Sequence, residues 1–225
     1  GGTGASPQSS IKHAGMPWEM GLAEANQVLT LNRLRHTVKL RVDGGIKTGR
    51  DVVIAAMLGG EEFGIGTASL IAMGCIMVRQ CHSNTCPVGV CTQDEKLRAK
   101  FMGTPEAVVN LFSFLAEEVS EILSELGFKT LDEIIGRSDL LTQVSRGHDD
   151  LDDLDLNALL AQADAGGFPR YCSLEGRNEV PDTLDAQILT DAGTMLGQGE
   201  KMQLTYTVQN THRAVGTRTS SAIVR

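Results

Sequence analysis

The chain reads as an α/β protein with parallel strands, and three observations lead there. Helix-like and strand-like stretches alternate between Trp18 and Gly74, the connections between them are short, and glycine-rich turns follow the strands. Glycines at strand exits mark the end where barrels and doubly wound sheets bind ligands. Residues 1 to 15 form a Gly/Ser/Thr/Pro loop without periodicity. From Trp18 to about Leu34, Met20, Leu22, Ala23, Val28, Leu31 and Leu34 share one helical face, with Glu19 and Glu24 toward the positive end of the dipole. Thr37 to Val42 alternates as a buried strand and runs into Asp43-Gly44-Gly45. Thr48 or Gly49 caps a helix from Arg50 to Leu58 with an apolar face of Val52, Val53, Ala56 and Met57. Glu62 to Ile65 is a short strand, and Leu70 to Gly74 a small-residue helix.

Thr104-Pro105-Glu106 opens a long helix with a cap, a proline at its first position and an early acid. Val108, Leu111, Phe112, Leu115, Val119, Ile122, Leu123 and Leu126 follow on one stripe until Gly127 stops it. A short helix covers Leu131 to Ile135. Residues 145 to 200 read as a surface linker with one short helix near Asn157 to Ala163. Gln203 to Val208 alternates as a strand, and Thr217 to Arg225 is strand-like.

Composition narrows the function. The chain has 225 residues, 41% of them hydrophobic, and no apolar run approaches the roughly 18 to 20 residues that span a membrane, which predicts a soluble protein. Net charge is −8, against the clustered Lys and Arg of a nucleic-acid footprint. Five cysteines without an export signal predict a reducing, cytoplasmic setting in which thiols hold metal. The opening Gly1-Gly2-Thr3-Gly4-Ala5-Ser6-Pro7 has neither initiator Met nor leader, as expected of a piece of a longer polypeptide.

Cys75, Cys81 and Cys86 fall within twelve residues, and Pro87 follows the last. Thiolates so close on a short polar loop can converge on one metal centre. The spacing is neither that of a zinc ribbon nor that of the bacterial ferredoxin run. A cluster lacking one iron corner needs three thiolates. A four-iron cubane or a structural zinc needs a fourth ligand, for which Cys91 and His82 are available. Plain burial as core thiols is the simplest alternative; the polar Gln80, His82, Ser83, Asn84 and Thr85 between the cysteines speak for a ligand loop. Cys172 stands alone and reads as an inert thiol.

Two glycine loops, Asp43-Gly44-Gly45 and Gly64-Ile65-Gly66-Thr67, lie one βα unit apart. If their strands are neighbours, the loop amides and the Thr67 hydroxyl can hold one phosphate jointly. The same glycines also suit ordinary tight turns, and no dinucleotide fingerprint is present. A phosphorylated cofactor beside a soft-metal centre points to electron transfer. Elsewhere the bland readings prevail. Lys12 and His13 are solvated loop residues, the acidic run Asp149 to Asp155 lacks the spacing of a calcium loop, and the lone histidines and serines carry no visible partner.

These residues resemble the synthase region of the glutamate synthase large-subunit family, in its bacterial pyridine-nucleotide-dependent branch. The resemblance is carried by Gly1 to Pro7, Leu31-Asn32-Arg33-Leu34-Arg35, Asp43-Gly44-Gly45, Gly64 to Ala68 and Cys81-His82-Ser83-Asn84-Thr85-Cys86-Pro87-Val88-Gly89-Val90. It implies the C-terminal portion of a (β/α)8 TIM barrel holding FMN, with Asp43, Gly44, Gly45, Gly64, Gly66 and Thr67 at the cofactor. It implies a 3Fe-4S cluster on Cys75, Cys81 and Cys86, with no catalytic residue assigned within these residues. The implied division is 1–74 for the last βα units, 75–95 for the iron-sulfur loop, 96–144 for a helical extension and 145–200 for a linker. Residues 201–225 would begin a right-handed β-helix, Asn210 to Arg218 resembling its start. The family's reaction joins glutamine-derived ammonia to 2-oxoglutarate, with electrons from an NADPH-oxidising small subunit. These residues alone are not expected to turn over. Two other classes remain open: a barrel nucleotide dehydrogenase with Cys75 as nucleophile, and a structural module with zinc on Cys75, Cys81, Cys86 and Cys91.

Overall fold

The computed structural model describes residues 8–176 and 182–224, and the chain divides into two units, Gly1–Leu174 and Glu175–Arg225. In the first unit the helices α1 (Gln8–His13) and α2 (Trp18–Leu31) precede a 3-10 turn, Arg35–Thr37, and the strand β1 (Arg41–Asp43). Helix α3 (Gly49–Met57), strand β2 (Glu62–Gly64) and helix α4 (Gly66–Ala72) follow. Beyond the cysteine loop come α5 (Glu95–Arg98), the long α6 (Pro105–Glu125), 3-10 turns at Leu131–Ile134 and Ser138–Leu140, α7 (Asp149–Asp152) and α8 (Asn157–Leu160).

The strands pair in parallel across α3, with Arg41 opposite Glu62, Val42 opposite Phe63 and Asp43 opposite Gly64. This is the βαβ connection that the alternation predicts, and it brings both glycine loops to one edge. Helix α3 forms because Thr48 closes a capping box: its hydroxyl accepts from Asp51 N, and the Asp51 carboxylate accepts from Lys47 N and Thr48 N. One flank of α3 buries Val52 and Ala55 with Leu22, Ala23, Val42 and Ile46. The other buries Val53, Ala56 and Met57 with Leu123 of α6 and with Ile134 and Ile135. Helix α6 begins and ends as its sequence signals, with Thr104 accepting from Ala107 N and Pro105 in the first turn. It lies so close to α3 that a β-carbon at Gly49 would stand 2.8 Å from Val119 N and from Glu118 Cβ. The Glu118 carboxylate fills that approach by accepting from Gly49 N at 2.6 Å.

Behind the strands sits a buried ion pair. Arg35, 2% exposed, donates to Glu61 Oε1 at 2.6 Å, to Asn26 Oδ1 and to the carbonyls of Val38 and Gly59. Glu61 also accepts from Leu40 N and Cys172 N.

The structure departs from the sequence reading in several places. The segment expected as loop contains α1, while residues 1–7 lie outside the described residues. The strand expected over Thr37 to Val42 is confined to Arg41–Asp43, because the residues before it turn and are held by Arg35 and Glu61 instead of a ladder. Helix α4 starts at Gly66 rather than Leu70, with Ser69 Oγ donating to Ile65 O. The region from 145 to 200 carries more helix than the one expected near Asn157, including α7 in the acidic run.

The second unit contains α9 (Leu184–Asp191), α10 (Gly193–Gln198) and α11 (Thr217–Val224). Two strand expectations fail there. Gln203 to Val208 has no strand partner among the described residues, and without a ladder alternation alone does not make a sheet. Thr217–Val224 is helical because Asp185, buried at the start of α9, accepts from Gly216 N, Arg218 N and Thr219 Oγ1 and so anchors the helix entry.

Arg35→Met will cost about 3–5 kcal/mol, since it strands the Glu61 carboxylate in a buried site. Urea unfolding followed through Trp18, the one tryptophan, which packs on Gly44, reads this loss. A change within about 1 kcal/mol, as for an exposed pair, would show the pair to be dispensable.

Asp185 carries a pH signature. Burial pushes its carboxyl up, but the amides of Arg218 and Gly216 and the Thr219 hydroxyl outweigh this and hold it below its ordinary value. A depressed folded value means stability that is present above the unfolded carboxyl value of about 3.9 and lost as pH falls through the folded one. The amide proton shifts of Gly216 and Arg218 will move below about pH 4 and not in Asp185→Asn; amides that do not titrate in the parent would remove Asp185 as the anchor.

Candidate functional site

The exits of β1 and β2 stand at one level because Asp43 pairs with Gly64. A β-carbon at Gly64 would meet Asp43 Cγ at 2.7 Å, so the Asp43 side chain already fills that space. Gly44 lies against Trp18, with a β-carbon 3.4 Å from Trp18 Cδ1. Gly45 and Gly66, by contrast, have no atom within 4 Å of a β-carbon position. Beside that space α4 begins with no side-chain cap, so the amides of Gly66, Thr67 and Ala68 point out of its first turn unclaimed by a cap. The six residues expected at the cofactor thus lie at the adjoining ends of β1 and β2, on the turn after β1 and in the first turn of α4, with Gly45 and Gly66 on open space.

Helix α4 links this cradle to the cysteines. Its C-terminus closes as a Schellman motif: Gly74, in the left-handed region, donates to Ile71 O, and Cys75 N donates to Leu70 O at 3.0 Å. Cys75 is therefore fixed where the helix stops. Cys75, Cys81, Cys86 and Cys91 then line a single cavity of about 200 Å³ whose other walls include Leu70, Ile76, Val78, Val88 and Val90. All four thiols are unbridged. Among the described residues no three His, Cys, Asp or Glu side chains converge closely enough to grip a single ion. The thiols surround a space rather than a point.

The loop holds this shape by backbone means. Met77 and Arg79 adopt left-handed φ of 58° and 63°, which curls the chain between Cys75 and Cys81. Such non-glycine residues cost about 1–3 kcal/mol each and persist where surroundings over-determine them. Asn84, also left-handed, accepts from Gln93 N at 2.6 Å, and Thr92 donates to the Asn84 carbonyl at 2.9 Å. Asp94 then caps α5 through Leu97 N. Cys86 to Gly89 is a reverse turn with Pro87 at its second position and Gly89 N donating to Cys86 O. Gly89 has φ of 76°, and a β-carbon there would lie 2.5 Å from Leu97 O and 2.9 Å from Phe101 N. Only glycine lets the loop seat on α5.

The thiols differ electrostatically. Burial raises the Cys86 thiol, but the amides of Cys91, Val88, Val90 and Gly89 turn toward it and hold it below its ordinary value. Cys81 is pushed up, first by burial and then by its neighbours Cys91 and Cys75. Met77 N donates to Cys75 Sγ at 3.4 Å.

Of the two residues considered for a fourth ligand, Cys91 lines the cavity and His82 does not. Cys172 lies elsewhere, beside Glu61. Lys12 and His13 end α1, exposed. Sequence reasoning did not single out the apolar wall or Gly89, whose one sign is its place two residues after Pro87.

Residues 1–129 match a family model described as the conserved region in glutamate synthase. The chain belongs to the glutamate synthase family. Over 225 residues it is 74% identical to the glutamate synthase [NADPH] large chain of Azospirillum brasilense, covering 100% of this chain and 15% of that one. It is 49% identical to the glutamate synthase [NADPH] large chain of Bacillus subtilis, covering 99% and 15%. Ferredoxin-dependent glutamate synthase 2 of Synechocystis is 48% identical, covering 100% and 15%. The chain spans about 15% of the length of these relatives. The glutamate synthase family therefore includes both pyridine-nucleotide and ferredoxin types among the relatives of this segment. Among the described residues no helix is long and apolar enough to cross a membrane.

With the thiols free, iodoacetamide labelling will modify exposed Cys91 before buried Cys86. Gly89→Ala, by unseating the turn from α5, will remove the protection of Cys86. Mass spectrometry of the labelled peptides checks both, and equal protection of Cys86 in the variant would separate the turn from its seat.

Proposed function

We propose that these residues form the flavin- and cluster-holding exit of a glutamate synthase large chain, comprising the last βα units of a TIM barrel and the cysteine loop that follows. The observation that carries this reading is the coupling of two sites through one short helix. Open, uncapped amides stand at the head of α4, and four thiols stand around a cavity at its foot.

The residues fit both groups. Gly45, Gly66 and Thr67 suit the FMN phosphate, because their loops leave room for it and offer amide donors at a helix start. Asp43, an acceptor-only carboxylate, suits a hydroxyl of the cofactor rather than its phosphate. Gly44 and Gly64 permit the close contacts with Trp18 and Asp43 that shape the cradle. Cys75, Cys81 and Cys86 suit a three-iron cluster: soft thiolates in an apolar cavity, with amides directed at Cys86 and Cys75. When bound, FMN supplies hydride to the imine of 2-oxoglutarate and ammonia, and the cluster supplies one-electron transfer. The chain's own part is to bind, space and dry these sites. The seven residues of α4 set a rise of roughly 10 Å between them, close enough for direct electron transfer. No residue here is assigned to proton transfer.

Electrons would come from an NADPH-oxidising small subunit, a choice supported by the 74% identity to an NADPH-type chain. Glutamine-derived ammonia and 2-oxoglutarate would reach the barrel through the rest of the large chain, in the cytoplasm, and this segment would not turn over alone. Residues 201–225 would lead into a β-helix whose neighbouring coils supply the missing strand partners. The ring of four thiols around a space speaks against a nucleophilic cysteine or a lone zinc ion.

Cys81→Ser in the full-length large chain will abolish the cluster, whereas Cys91→Ala and Cys172→Ser will retain it, as read by iron content and electron paramagnetic resonance of the oxidised protein. Gly66→Val will copurify with little flavin. Parental iron in Cys81→Ser or parental flavin in Gly66→Val would each remove the corresponding half of this reading.

A further inference from the structure

We infer that Cys91 is a fourth metal-binding thiol, poised at the mouth of the cysteine cavity to hold one additional iron beside a cluster carried by Cys75, Cys81 and Cys86. This rests on the cluster reading above and extends it to a residue outside the three ligands. Cys91 lines the same cavity as the other three thiols, yet it is exposed where Cys86 is buried. Its Sγ lies 3.5 Å from the Cys81 carbonyl oxygen, within the same loop. The backbone on both sides is pinned, before it by the reverse turn at Cys86–Gly89 and after it by the clasp of Thr92 and Gln93 on Asn84. It is therefore a placed thiol, not one on a free tail.

Nothing else at the cavity competes for this role. No His, Asp or Glu lines it, and the remaining sulfur, the Met77 thioether, is already turned to Cys75 Sγ at 3.8 Å. Three thiolates satisfy three irons, and a cubane with a fourth iron needs one donor more. The balanced change is small. An oxidised three-iron cluster takes one electron from a reductant and binds one ferrous ion; Cys91 gives its proton to water and forms a new iron–sulfur bond. No bond from Cys75, Cys81 or Cys86 is broken. The exposure of Cys91 provides the route by which the ion enters and the proton leaves.

The test uses the full-length large chain, purified without oxygen, treated with dithionite and ferrous ammonium sulfate and freed of excess iron by gel filtration. Wild type is expected to gain one iron per chain and to lose its three-iron resonance on reoxidation without added oxidant in excess. Cys91→Ala is expected to show the three-iron resonance before treatment, gain no iron and keep that resonance. Cys172→Ser, outside the cavity, is expected to behave as wild type. Equal iron uptake by Cys91→Ala, or no uptake by a wild type that carries the three-iron resonance, would overturn the role of Cys91. A wild type with neither iron nor acid-labile sulfide before treatment would instead remove the cluster reading, and this inference with it.

Discussion

Arg35 and Glu61 hold together segments that share no helix or strand. The guanidinium reaches Asn26 of α2 and the carbonyls of Val38 and Gly59, while the carboxylate reaches Leu40 N and Cys172 N. Burying both charges would be unfavourable if either were left short of partners; here each is supplied with donors or acceptors on several sides. Glu61 N and Glu62 N also donate to Leu40 O, so the pair sits at the point where β1 and β2 begin to run together. Register is decided there. With Arg41 set opposite Glu62, Asp43 must stand opposite Gly64, and the two glycine loops must leave the strands at the same height. A slip of one residue would exchange the faces of the strand and bury Arg41 or Asp43 in place of Val42.

From that level the site is built outward by helix ends. Helix α3 is capped within itself, by Thr48 and Asp51, and is clamped from outside by Glu118. Helix α4 has no such cap, and this asymmetry distinguishes a helix that is only structural from one whose first amides face an open cradle. Its other end is closed by the Schellman motif that delivers Cys75. Helix α6 packs on α3 from the other flank, where Leu123 is buried with Val53, Ala56 and Met57.

How much of this could be read from the sequence depended on whether the deciding contact was local. The α6 boundaries were legible because Thr104, Pro105 and Gly127 act within one turn of themselves. So were the α3 cap and the crowding of cysteines between residues 75 and 91. The early start of α4 was hidden, since Gly66 and Thr67 read as loop residues and the Ser69 bond to Ile65 O has no sequence signature. Thr217–Val224 looked like a strand from its β-branched residues, and the carboxylate that makes it a helix lies at Asp185, 31 residues from Gly216. Spacing also could not say which thiols are buried, nor that Cys91 would line the cavity and His82 would not.

The four thiols that line the cavity differ in how readily each carries charge. Around Cys86 the chain folds a turn whose amides favour a thiolate, but around Cys81 there is burial and the proximity of Cys91 and Cys75, which disfavour one. The loop can thus readily carry negative charge on one side and resists it in the middle. Adding charge to all four sulfurs would set them against each other within a cavity of about 200 Å³ whose lining is mostly apolar and includes a single cationic side chain, Arg79. A cation bound among them would reverse the sign of that interaction, and its binding would be coupled to loss of the thiol protons. The left-handed residues Met77 and Arg79 carry the curl of the chain between Cys75 and Cys81, a conformation that is costly for the backbone. The loop's shape is maintained by Asn84, Gly89 and Pro87, each acting through the backbone rather than through the sulfurs.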